Sequence, residues 1–144
     1  MLRDALTPLA TLYREAPLSL YVLYALNMLD AFGYFATSLN VTVFARDDPA
    51  FTLDDIGAGQ LYGNWGLAIG LWSLAAGPAV DAWGVRPSLG AAAVMSLLGR
   101  AMTAAAQTRA HLYVSLYVCQ GAGMALAMTA LLIAMRGLGL SPAS

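Results

Sequence analysis

Asp30 and Arg100 lie near the middle of two long apolar stretches of the chain, where a charge is expensive to place. At about 100° per residue, Asn27, Tyr34, Thr37 and Ser38 share a third of a helix surface with Asp30, which makes one polar stripe. Ser96, Thr103 and Gln107 fall on the same side of their segment as Arg100. A carboxylate in this setting can line a solute path or carry a coupling proton, or a neighbour can simply neutralise it. Arg cannot shed its proton, so Arg100 needs an acceptor, and Asp30 is the other charge at similar depth. The expectation is an Asp30–Arg100 pair, or both groups reaching one water-filled cavity. The alternative is that Arg100 snorkels toward an interface.

Further polar side chains recur beside this stripe. Gln60, Asn64 and Trp65 in one segment, and Tyr113, Tyr117 and Gln120 in another, are placed either to line a cavity with Asp30 or to serve as hydrogen-bonding glue between helices. An enzyme is not expected. Metal or nucleophilic catalysis needs clustered His, Cys or carboxylates, and the chain offers one His, His111, and one Cys, Cys119. The reading therefore contains no metal site and no cofactor. All seven basic residues are Arg and the net charge is −1, so nucleic acid is not expected as a partner.

The elements that must hold these residues follow from hydrophobicity. Hydrophobic residues make up 60% of the 144, charged residues 10%, and the mean hydropathy is +0.67, whereas a soluble domain carries roughly 25% charge. A helix needs about 20 apolar residues to cross a bilayer. Four segments qualify, at about 18–45, 58–82, 88–106 and 112–135, giving an all-α protein with four transmembrane helices and the bilayer as its solvent. Residues 1–17 form an N-terminal segment too polar for a signal peptide, and 137–144 form a tail. Pro49 and the four Asp residues of 46–55 end the first helix, and Asp54 and Asp55 suit the start of the second. Pro87 fits the first turn of the third. Placing both termini in the cytoplasm puts Arg3, Arg14, Arg86 and Arg136 inside against Arg46 and Arg109 outside, as the positive-inside rule prefers. Gly59, Gly63, Gly66, Gly70, Ser73 and Gly77 fall within about 80° of arc and predict a close helix-packing seam, with Gly121, Ala125 and Thr129 a shorter one.

The turn after the second segment reads Gly77-Pro-Ala-Val-Asp81-Ala-Trp-Gly84-Val-Arg86-Pro87. Gly84 permits a tight reversal, and Asp81 and Arg86 can share a charge-assisted hydrogen bond or engage another helix end. This run resembles motif A of the major facilitator superfamily of transporters, in the cytoplasmic turn between spans two and three. The usual basic positions are Ala82 and Val85 here, so Arg86 alone keeps the charge. Gly121 and Gly123 match a Gly-x-Gly of the family's fourth span, with Tyr117 where that motif has Arg. Residues 27–36, Asn-Met-Leu-Asp-Ala-Phe-Gly-Tyr-Phe-Ala, faintly resemble the first-span signature of proton-coupled oligopeptide transporters. The resemblance implies part of the N-terminal half of the major facilitator fold and movement of a small-molecule solute. In the family this turn docks on the second half of the transporter. Four spans are too few for a full transporter, so the expected partners are the remaining half or a second copy. The alternative is a four-span scaffold or assembly protein that transports nothing.

Overall fold

The computed structural model describes residues 18–139, and the N-terminal segment 1–17 and residues 140–144 lie outside that range. The fold of the described residues is all-helical, with no strand among them. Helix α1 is Leu18–Asp47, α2 is Asp55–Trp83 and α3 is Val85–Ala104. A fourth rod is built from α4 (Arg109–Tyr113), a π-helical stretch (Val114–Gln120) and α5 (Gly121–Gly139). The tail expected from residue 137 therefore begins as helix.

The expected stop and start signals operate locally. The Asp48 carboxylate accepts from Ala50 N (2.8 Å) and its carbonyl from Phe51 N (3.0 Å), so the chain leaves α1 in a turn. Asp54 caps α2, its Oδ1 accepting from Gly57 N at 2.8 Å. Gly84, at φ 86°, ends α2 and opens α3 in one residue, a conformation that an L side chain resists. α3 starts at Val85, three residues before the expected 88, so Pro87 is its third residue and lies within the first turn.

The fourth rod is central: α5 packs against α2 and α3, while α1 leans on α2 and α5. One apolar core gathers Val41, Phe51, Leu61, Trp65, Leu112 and Leu116, and a second gathers Ala76, Val80, Ala92, Ala125 and Ala130. By length and composition, α1 and the stretch Arg109–Arg136 are suited to crossing a membrane.

Candidate functional site

Three cavities lie along α1. The first, about 370 Å³, is lined by Asn27, Asp30 and Tyr34 of α1, Gly66 and Ile69 of α2, and Met124 and Met128 of α5. The second, about 530 Å³, opens between α1 and α3, with Asp30, Ser96 and Arg100 set among Leu26, Leu29, Leu89 and Leu97. The third, about 450 Å³, holds Thr37, Asn40, Arg100, Thr103 and Gln120. Asp30 thus borders the first two and Arg100 the last two. Of the polar stripe expected on the first segment, Asn27, Asp30, Tyr34 and Thr37 line these cavities, while Ser38 lines none of them and donates its Oγ–H to Phe35 O at 3.0 Å.

Asp30 and Arg100 do not form an ion pair within 4.0 Å among the described residues, although Arg100 is the cation that acts electrostatically on Asp30. The guanidinium lies against Gly33, where an added Cβ would stand 2.5 Å from Nη2. Of the two expectations, a direct pair or a shared cavity, the arrangement is the second.

Gln120 is buried and its Nε2 donates to Thr103 Oγ1 at 3.0 Å; Thr103 also meets Ser115 Oγ at 2.9 Å. It borders the third cavity but is fixed by this network. Tyr34 Oη lies 3.3 Å from Tyr62 Oη and its ring packs on Trp65 at 5.4 Å. Trp65 is fully buried and lines none of these cavities, which corrects its placement beside Asp30: its bulk fills the core between α1 and the fourth rod. Asn64 stands close enough to act on the Tyr117 hydroxyl, and Tyr117 Oη reaches Leu61 O at 3.3 Å while its ring stacks on Tyr113 at 5.6 Å. This Asn64–Tyr117 group acts as interhelical glue and stands apart from the Asp30 cavities.

The glycine seam needs correction. A Cβ built at Gly59, Gly63, Gly66, Gly70 or Gly77 meets nothing within 4 Å, so no helix of the described chain packs there. The buried face of α2 is instead Ala58, Leu61, Trp65, Ala76 and Val80. Close approach occurs at Gly99, where a Cβ would lie 2.8 Å from Gln120 N, and at Gly123, 2.8 Å from Ser96 N. Gly121 does pack, 3.3 Å from Trp72 Cδ1 by the same measure, in keeping with the short seam read on the last segment. Asp81 and Arg86 likewise make no ion pair within 4.0 Å among the described residues. Both are exposed, and Arg86 stands at the rim of an apolar groove between the starts of α1 and α3.

Outside the apolar segments, Arg46 Nε bonds Asp47 Oδ1 at 2.7 Å and its Nη1 lies 3.5 Å from Asp55 Oδ1. The hydrogen bond and charge of Arg46 hold the Asp47 carboxyl below its ordinary value of 3.8.

Comparison with known protein families, curated proteins and solved structures finds no match.

Three arrangements escaped sequence reasoning. Arg109 turns inward to the loop, Nε to Phe51 O at 2.6 Å and Nη2 to Thr52 O and Oγ1 at 3.1 and 2.8 Å. Trp72 Nε1 donates to Tyr117 O at 2.8 Å. Gly33 seats Arg100. Only the last had a signal, a glycine three residues from the Asp30 carboxylate.

Proposed function

We propose that the chain is a four-span portion of a major-facilitator-type secondary transporter and lines one wall of a path for a small solute. The observation that carries this reading is the Asn27–Asp30–Tyr34 stripe. It faces cavities shared with α2, α3 and α5, while the opposite flank of α1 presents Met28, Phe32 and Leu39 at 75%, 73% and 73% exposure. A helix with polar groups toward a cavity and large apolar groups outward suits lipid on one side and water on the other. α2 and α3 serve as the second and third spans on this reading, joined by the Gly84 turn that resembles motif A, with both termini cytoplasmic. The path's open side is closed by further helices, as alternating access between two bundles requires.

The test is accessibility. In a Cys119→Ser background, single cysteines at Asn27 and Tyr34 should react with a membrane-impermeant thiol reagent, and cysteines at Phe32 and Leu39 should not. Equal reactivity of all four, or of none, refutes the path.

The open seam Gly59–Gly63–Gly66–Gly70 favours a second reading, a four-span scaffold that binds another membrane helix there. Accessibility again separates them, because a scaffold leaves Asn27 and Tyr34 sealed.

A further inference from the structure

Two opposite charges border one cavity without forming an ion pair within 4.0 Å. Arg100 comes from α3 and its guanidinium rests on Gly33; Asp30 lies three residues earlier on the same helix, about 4.5 Å along its axis. Both side chains are half-buried, and both border the cavity of about 530 Å³ between α1 and α3. Around them the wall is apolar, with Leu26, Leu29, Leu89 and Leu97. Among the described residues neither charge has a hydrogen-bond partner, and Asp30 is the only carboxylate and Arg100 the only cation bordering this cavity.

In an apolar surrounding an unpaired carboxylate and an unpaired guanidinium are each costly, and a direct pair would relieve both. As the two side chains stand that pair is not made, and a molecule entering the cavity can supply the relief instead. A cation alone satisfies Asp30 and leaves Arg100 exposed to the apolar wall; an anion alone does the reverse. A molecule carrying an ammonium and a carboxylate a few ångströms apart satisfies both at once. The carboxylate accepts the two parallel N–H bonds that a guanidinium offers, and the ammonium donates to Asp30. The leucines then favour an apolar substituent between the two charged ends, and the volume lies within the range of small-molecule sites.

We infer that the Asp30–Arg100 cavity binds a small apolar zwitterion, an α-amino acid with a hydrocarbon side chain. This assignment rests on the solute-path reading and names its substrate class. Net charge transfer into the cavity is zero, so the ligand brings its own neutralisation with it.

The test uses the full chain in lipid nanodiscs with three probes: radiolabelled L-leucine, 3-methylbutylamine, which lacks the carboxylate, and 4-methylpentanoate, which lacks the amine. Leucine should bind saturably, and each analogue should compete at least tenfold more weakly. Asp30→Asn and Arg100→Gln should each weaken leucine binding at least tenfold. If either variant fails to fold, the analogue series on the unaltered chain still decides. Binding of one analogue as tight as leucine overturns the assignment. So does absence of leucine binding, and the thiol-labelling pattern then tells the two failures apart. Reactive cysteines at Asn27 and Tyr34 with sealed ones at Phe32 and Leu39 leave the path standing and refute the zwitterion alone; any other pattern refutes both.

Discussion

The indole of Trp72 in α2 hydrogen bonds the backbone carbonyl of Tyr117, at 2.8 Å, in the middle of the π-helical stretch. Gly121 N reaches back five residues to Leu116 O, and α-helix resumes from there, so the change of register frees a carbonyl. In an apolar segment a carbonyl without a donor is costly. Trp72 supplies the donor from a neighbouring helix and pins the fourth rod to α2 just where Gly121 lets the ring approach.

Trp72→Phe keeps the ring and removes the N–H. It should destabilise the helical assembly by about 1 kcal/mol. Thermal unfolding in detergent would show this as a lowered midpoint, and an unchanged midpoint would mean that the π-helical register does not depend on Trp72.

Glycine substitutions should divide by position. Gly99→Ala drives a Cβ to 2.8 Å from Gln120 N and Gly123→Ala drives one to 2.8 Å from Ser96 N, both backbone atoms that cannot step aside. Each should cost at least about 1–3 kcal/mol, as overpacking does, and lower the folded yield. Gly70→Leu projects into open space and should leave the stability of the isolated chain within about 0.5 kcal/mol, while weakening any association through that face. Size-exclusion profiles together with unfolding midpoints check both halves.

The same contrast shows what the sequence can and cannot disclose. The number of helices, the Asp54 cap, the Gly84 reversal and the polar stripe around Asp30 are local properties, set by periodicity and by turn chemistry within a few residues. A run of small residues tells that a backbone can come close, but which helix comes close depends on the packing of the other side chains. Trp65 and Leu61 turn the opposite face of α2 inward, so the seam read from Gly59 to Gly77 is left open and the tight contacts fall at Gly99 and Gly123. Asp30 and Arg100 were legible as charges that must meet or share a cavity. That the guanidinium lies over Gly33 without pairing with Asp30 is a matter of tertiary placement.

Gly33→Ala tests that placement directly. The added methyl meets the far end of a flexible side chain, so Arg100 can swing away and the folded yield should stay within about twofold of the unaltered chain. Released from its seat, the guanidinium gains freedom to pair with Asp30, and leucine binding in nanodiscs should fall several-fold. Unchanged binding would show that the seat does not hold the charges apart.

Asp47 supplies a pH dependence with a defined sign. Its carboxyl is held below the ordinary 3.8 chiefly by the Arg46 hydrogen bond, so the contribution is fully present above that value and is lost as pH falls through the lower, folded one. Both groups are solvent-exposed, which keeps the effect small. The unfolding midpoint of Asp47→Asn should sit a constant small amount below that of the unaltered chain from pH 5 to 8, and the gap should narrow as pH falls below the ordinary 3.8. A gap that persists in acid would trace the effect to something other than this carboxylate.

Arg109 anchors the loop between α1 and α2 to the start of the fourth rod. Its Nε donates to Phe51 O at 2.6 Å and its Nη2 to Thr52 O and Oγ1 at 3.1 and 2.8 Å, while the Phe51 ring is fully buried in the core beneath. Thr52 takes φ 45°, a left-handed conformation that a β-branched residue adopts only when its surroundings hold it there. The planar fork of Arg109 is what holds it, and a lysine ammonium cannot reproduce three donors at fixed angles. Arg109→Ala should therefore destabilise the chain by about 1.5–3 kcal/mol, and Arg109→Lys should recover less than half of that. Thr52→Gly relieves the strained φ and should offset part of the loss when combined with Arg109→Ala, so that the double variant unfolds at a higher temperature than the single one. If Lys restores the midpoint fully, the contact is a point-charge attraction, and the fork geometry has no part in fixing the loop.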